Sequence, residues 1–128
     1  MVVPYKKLLK PQTFLRPCRL LFDLTHVFAD YIYADIPFSD SLDGVFVLIC
    51  VAIGHAENRP MNVSKLSHYI GMSRQTVLRR LNELISRSVV ERTGMYYYIA
   101  SAYAAKIDHL IRTDKLIAEA FRDMQKDQ

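Results

Sequence analysis

The sequence predicts a mainly α-helical domain carrying one small two-stranded β element. Three observations predict it. Apolar residues recur at spacings of three and four over most of the chain, which is the period of an amphipathic helix. Residues 89–100, with the run Tyr96-Tyr97-Tyr98 beside Thr93-Gly94, suit two short strands joined by a turn. Between the apolar stretches stand residues that start and stop helices, among them Pro17, Pro37, Asn62, Gly71 and Ser73.

Each element follows in order. Residues 4–10 read as a short helix or an arm, ended by Pro11. Pro17 stands where a first helical residue belongs. Leu20, Leu21, Leu24, Val27, Phe28, Tyr31, Ile32 and Ile36 then follow at helical spacing, and Pro37 closes that helix. Ser39, Asp40 and Ser41 offer N-cap oxygens for the next, expected from about Leu42 to Ala56. It is apolar on nearly every side, through Val45, Phe46, Val47, Leu48, Ile49, Val51 and Ile53, as a helix surrounded by others should be. Its β-branched content also suits a strand; its length and its acidic start favour a helix. Asn62 caps a short helix from Val63 to Ile70, and Gly71 fits the left-handed position that ends it. Ser73 caps another, running to about Ser86. Strands follow over residues 89–92 and 95–100, about the turn Thr93-Gly94. Ser101 starts the last helix. Its Tyr103, Ile107, Leu110, Asp114, Ile117, Phe121 and Met124 keep a 4-3-4-3-4-3 spacing, a near-heptad seam that only Asp114 interrupts.

A length of 128 residues fits one domain, 1–128. Its expected parts are an N-terminal arm and helix over 1–38, a central unit over 39–100 and a C-terminal helix over 101–128. Hydrophobic residues at 51% and charged residues at 23% are globular proportions and argue against disorder. Two cysteines, Cys18 and Cys50, are too few for a disulfide scaffold. Residues 1–9 hold no long apolar core of a signal peptide, so a cytoplasmic location is expected. The longest apolar run, residues 45–54, is shorter than the roughly 20 residues that cross a bilayer.

Charge is segregated. Residues 1–19 hold five basic groups and no acid; residues 20–58 hold six acids and no Lys or Arg; residues 59–92 hold seven basic groups against Glu83 and Glu91. A basic block on a folded segment suits a nucleic-acid binder, and equally a plain solvated face. The basic arm, Lys6, Lys7, Lys10, Arg16 and Arg19, could meet DNA or the acidic stretch of its own or a partner subunit.

The segment from Asn62 to Ala100 carries the functional reading. Leu66 and Ile70 face inward, Met72 plugs the turn, and Val77, Leu81 and Leu84 lie within about 60° of each other at 100° per residue. Gln75, Arg79, Asn82 and Ser86 therefore point outward. Arg pairs bidentately with guanine, and Gln or Asn with adenine, so Gln75, Arg79 and Asn82 are the candidate base readers. Ser73, Arg74, Thr76 and Arg80, with Lys65 and Arg92, are the candidate backbone contacts.

The run Val63-Ser64-Lys65-Leu66-Ser67-His68-Tyr69-Ile70-Gly71-Met72-Ser73-Arg74-Gln75-Thr76-Val77-Leu78-Arg79-Arg80-Leu81-Asn82-Glu83-Leu84 resembles the helix-turn-helix of bacterial winged-helix regulators. Val89-Val90-Glu91-Arg92 and the following hairpin resemble the wing. Helices before the motif and a helix after the wing make the MarR-like group the nearest. The resemblance covers roughly residues 43–100. It implies a winged helix-turn-helix over 39–100, flanked by N- and C-terminal dimerisation helices. It further implies a homodimer that binds duplex DNA and regulates transcription, and in some members a small aromatic effector or a sensing thiol. Two features depart from the family pattern. The wing tip is short, with Arg92 its one basic side chain, and Leu78 lies near the exposed side of the second helix.

Ile107, Leu110, Ile117 and Phe121 have no obvious partner inside so small a domain and are the expected dimerisation residues. Asp114 would set their register or sit at the rim. His26, Tyr31 and Tyr33 could line an effector pocket or simply pack. Cys18 could be a thiolate near a helix start, or a half-buried apolar residue, which is the plainer reading; Cys50 should be core. The four histidines share no ligand spacing, so no metal is expected. No phosphate loop or catalytic motif stands out, so no enzyme and no cofactor are expected. The competing reading is a winged-helix module that binds protein rather than DNA.

Overall fold

The computed structural model describes residues 11–115, 118, 119 and 122. Among these residues, five helices and one antiparallel strand pair follow in the order α1 (Pro11–Ile32), α2 (Phe38–Ala56), α3 (Val63–Ile70), α4 (Arg74–Ser86), β1 (Val90–Thr93), β2 (Tyr96–Ile99) and α5 (Ser101–Thr113). The chain is thus mainly helical, with a small two-stranded sheet.

α2 is the centre of the fold. Val45, Val47, Leu48 and Val51 are almost wholly buried on it, and α1, α3, α4 and β2 all pack against it. By length and composition α2 could cross a membrane; its place among the other elements is that of a core helix. It begins at Phe38, four residues before the expected start. Pro37 supplies the N-cap position in extended conformation, with no side-chain cap bond. Ser39, Asp40 and Ser41 lie within the first turn instead, and the Ser41 hydroxyl donates to the Phe38 carbonyl at 2.7 Å.

α1 also starts earlier than expected. Pro11 opens it, and Pro17 lies inside it. Pro17 is exposed, so the carbonyl four residues back, deprived of its helical donor, can turn to water. The helix ends at Ile32, before Pro37, and residues 33–37 form the connection. Tyr33 from that connection lies against Gly44 of α2. A Cβ at Gly44 would overlap the Tyr33 hydroxyl. Burial pushes the Tyr33 phenol well above its ordinary pKa, with the Glu83 carboxylate adding to the effect.

The basic and acidic blocks meet here. Arg87, just past α4, donates to both Asp35 carboxylate oxygens at 2.8 and 3.0 Å and to the Ile32 carbonyl at 3.0 Å. Its guanidinium also lies 4.7 Å from the centre of the Tyr33 ring.

The hairpin pairs Val90 with Ile99 and Thr93 with Tyr96. The turn is Gly94-Met95 rather than Thr93-Gly94, because the first turn position takes φ 62°, which glycine adopts without strain. Met61, just before α3, bridges to Tyr97, and the Tyr97 amide donates to its carbonyl at 3.2 Å. His55 at the end of α2 accepts the Ile99 amide on Nδ1 at 3.0 Å.

α5 corrects the expected seam. The helix ends at Thr113, and Asp114 is extended, with ψ 124°. The Ala118 amide donates to the Asp114 carbonyl at 3.0 Å, so a new turn starts there. Aspartate is a poor interior residue and a good N-cap, which accounts for a break at this position. Ile107 is half-buried against the domain's own core, and so has the internal partner that the sequence did not reveal. Leu110 is half-buried. Ile117, Phe121 and Met124 lie outside the described residues, as do Lys6, Lys7 and Lys10.

Two outcomes follow from this packing. Gly44→Ala displaces Tyr33 and should lower the unfolding free energy by roughly 1–3 kcal/mol, the usual cost of overpacking; an unchanged urea midpoint would contradict the packing. Asp35 gives a pH signature. The hydrogen bonds from Arg87 hold its carboxyl below the ordinary aspartate value. The stability it contributes is present above the unfolded value of about 3.9 and is lost as pH falls through the lower folded value. The gap in Tm between the wild type and Asp35→Asn should therefore close on acidification below about pH 4. A gap independent of pH would mean that the carboxylate makes no such bond.

Candidate nucleic-acid interface

Local chemistry sets the geometry of α3 and α4. Asn62 caps α3, its side chain accepting the Lys65 amide at 2.8 Å. Gly71 ends α3 with φ 79°, a conformation that glycine takes freely. Met72 is half-buried in the turn, and its carbonyl accepts the Ser67 hydroxyl. Ser73 caps α4, accepting the Thr76 amide at 3.2 Å.

The inner side of α4 is unambiguous. Val77, Leu81 and Leu84 have no exposed surface, and neither does Leu66 of α3. Fully burying such side chains stabilises by about 1.5–3 kcal/mol each, so rotation of α4 about its axis is strongly opposed. Gln75, Arg79 and Asn82 are all exposed on the opposite side. They form one row of amide and guanidinium donors. Leu78 is 41% exposed beside them. Ser86 is exposed too, but its hydroxyl donates to the Glu83 carbonyl at 2.7 Å, which ties it to its own helix.

The candidate backbone contacts divide into three groups. Arg74 and Arg92 come together. They line a cavity of about 160 Å³ with Asn62, Val63, Ser64, Met95 and Tyr97. Among the described residues no acid lines it, so it is suited to an anionic oxygen. Arg92 is steadied there by donating from Nε to the Gly94 carbonyl at 2.7 Å. Ser73, Thr76 and Lys65 form the second group, at the helix starts. Ser73 and Lys65 are exposed, while the Ser73 hydroxyl donates to Thr76 Oγ1 at 2.9 Å.

Arg80 stands apart from the sequence reading. It pairs with Glu83 at 3.3 Å and with Asp43 of α2 at 3.8 Å, and its side chain is only 19% exposed. It holds α4 to α2 rather than reaching outward. One residue on from Arg79, it turns by 100° onto the side where α2 presents an acid. The sequence places both residues but not Asp43 beside them. Ser64 and Met95, which share the cavity with Arg74 and Arg92, were not among the candidates. Their signal was the first turn of α3 and the hairpin tip.

The residues considered for an effector do not gather. His26 stacks on Phe38, with ring centroids 4.3 Å apart, and lies 3.3 Å from Asp30. Tyr33 is buried in the core. Tyr31 lines a cavity of about 530 Å³ with Ile32, Arg87, Ser88, Val89, Ala102, Tyr103 and Lys106. Its ring lies 5.9 Å from that of Tyr103. Cys18 is exposed rather than half-buried, and Cys50 is buried as expected. Burial raises the Cys50 thiol above its ordinary value. Among the described residues, no three His, Cys, Asp or Glu side chains gather as metal ligands.

No family model, curated protein or solved structure matches the chain.

The placement of Arg80 can be checked directly. Arg80→Ala should lower the unfolding free energy by roughly 1 kcal/mol, the scale of a partly screened charged hydrogen bond. An unchanged urea midpoint would show that the pair with Asp43 and Glu83 holds nothing in place.

Proposed function

We propose that the chain is a sequence-specific duplex-DNA-binding transcriptional regulator of the winged helix-turn-helix, MarR-like kind, acting as a homodimer. The observation that carries this reading is the outward row Gln75, Arg79 and Asn82 on a helix whose other side is fully buried. The one acid of α4, Glu83, is turned to Arg80, so no carboxylate interrupts the row. α4 enters the major groove, where the three side chains pair with base edges. Arg74 and Arg92 take a phosphate at their shared cavity, and Ser73, Thr76 and Lys65 take others at the helix starts. The hairpin flanks the groove as a short wing. Leu110, Ile117 and Phe121 remain the proposed dimerisation residues of the C-terminal segment, while Ile107 packs against the chain's own core. A small aromatic effector with an acidic group would fit the cavity of Tyr31 and Tyr103, where Lys106 and Arg87, the latter already paired with Asp35, are the charged residues among the described lining. The regulator would act in the cytoplasm, with no catalytic step.

A protein-binding module is the second reading. It is favoured by the exposed apolar side chains Tyr69, Leu78, Met95 and Tyr96 on the same part of the fold.

Selection of random duplex DNA by the purified chain at near-physiological salt separates the two. An enriched inverted repeat, with half-sites about one helical turn apart, is expected. Recovery of no motif would move the reading to the protein-binding module. On the selected site, Arg79→Ala should cost roughly 1–3 kcal/mol and relax preference at one base pair. Arg74→Ala should weaken all sequences alike and reduce the salt slope by about 1. A uniform loss for Arg79→Ala would reassign that residue to the backbone.

A further inference from the structure

The exposed residues of α4 are Arg74, Gln75, Leu78, Arg79, Asn82 and Ser86. Leu78 is the one apolar side chain among them, and it is 41% exposed. At 100° and 1.5 Å per residue it stands about 60° and 4.5 Å from Gln75, and about 40° and 6 Å from Asn82. A branched apolar group is thus set between two carboxamides, with the Arg79 guanidinium one residue on. Glu83, the acid of the helix, lies 3.3 Å from Arg80 and is turned away from this surface.

A partner of α4 must therefore meet two needs within a few ångströms. It must offer hydrogen-bonding groups to Gln75, Arg79 and Asn82, and it must cover Leu78. An apolar pocket on a protein would cover Leu78 but would desolvate the carboxamides and the guanidinium without partners, which is costly. The floor of the DNA major groove meets both needs. It presents purine N7, guanine O6 and adenine N6 to the polar side chains, and its apolar group is the C5 methyl of thymine. Adenine, which Gln and Asn recognise bidentately, brings that methyl with it, because thymine is its partner in the base pair. A leucine between two adenine-reading side chains therefore lies where thymine methyls are concentrated.

We infer that Leu78 is a specificity-determining residue that packs on the C5 methyl of a thymine, in the stretch of the half-site between the base pairs contacted by Gln75 and Asn82. This rests on the reading of the chain as a duplex-DNA binder, and adds one base and one atom of that base to what α4 recognises. Uracil in the same place keeps every polar group of thymine and lacks only the methyl, so it isolates the contact.

The test measures binding of the full chain to the duplex recovered by selection, and to copies in which one thymine at a time is replaced by uracil. At one thymine of a half-site the uracil copy should bind roughly fourfold more weakly, the loss of one buried methyl; uracil at the other thymines should change little. Leu78→Ala should bind the thymine and uracil copies alike. Leu78→Met, which keeps an apolar contact, should retain the preference for thymine. Both variants should melt with the wild type, since position 78 is exposed. A wild type indifferent to uracil at every thymine would overturn the role of Leu78 and leave the DNA reading standing. So would a thymine preference that survives in Leu78→Ala, a selected half-site without thymine, or an equal loss by Leu78→Ala on all sequences. Recovery of no motif in the selection would overturn both.

Discussion

Val77, Leu81 and Leu84 determine which side of α4 meets solvent. All three are wholly buried, on a helix that packs against α2 and α3. Truncating a buried leucine costs about 2–5 kcal/mol, more than any exposed side chain of α4 could return. The register of the helix is therefore set from behind. Gln75, Arg79 and Asn82 are exposed together because those three residues are buried together. The caps complete the placement: Ser73 starts the helix, and Gly71, in the left-handed region, sets the turn that leads into it.

The charge segregation of the sequence has a structural use within one chain. The acidic block contributes Asp35 and Asp43; the basic block contributes Arg87 and Arg80. These contacts tie the second half of α4 and the residue after it to the α1–α2 region. They also sort the basic block into two populations. Arg80 and Arg87 are engaged internally, while Lys65, Arg74, Arg79 and Arg92 are exposed on the other side. A net charge would not have distinguished the two.

The segment from Asn62 to Ser86 was legible almost residue for residue, because its determinants are local. An asparagine cap, a left-handed glycine and a serine cap each act within four residues. The ends of α1, α2 and α5 were less legible. Pro17 normally marks a helix start, yet it lies inside α1, where solvent can take up the carbonyl it frees. Pro37, rather than Ser39, Asp40 or Ser41, holds the cap position of α2, since no side-chain bond was needed there. Asp114 read as a polar residue in a continuous seam, but it ends the helix and starts a new turn. Arg80 could not be placed from the sequence, because its partner Asp43 lies 37 positions away. The cavity between Arg74 and Arg92 was hidden for a similar reason, since it forms only when the hairpin folds back against the start of α3.

The central claim is that the outward row of α4 meets duplex DNA. The most direct measurement is an amide chemical-shift titration of isotope-labelled chain with its selected duplex. Shifts should concentrate at Gln75, Arg79 and Asn82, with further changes at Ser73, Arg74 and Arg92, while residues of α1 move little. Shifts confined to α1 or α5, or none in α4 at a concentration where the complex is saturated, would contradict the account.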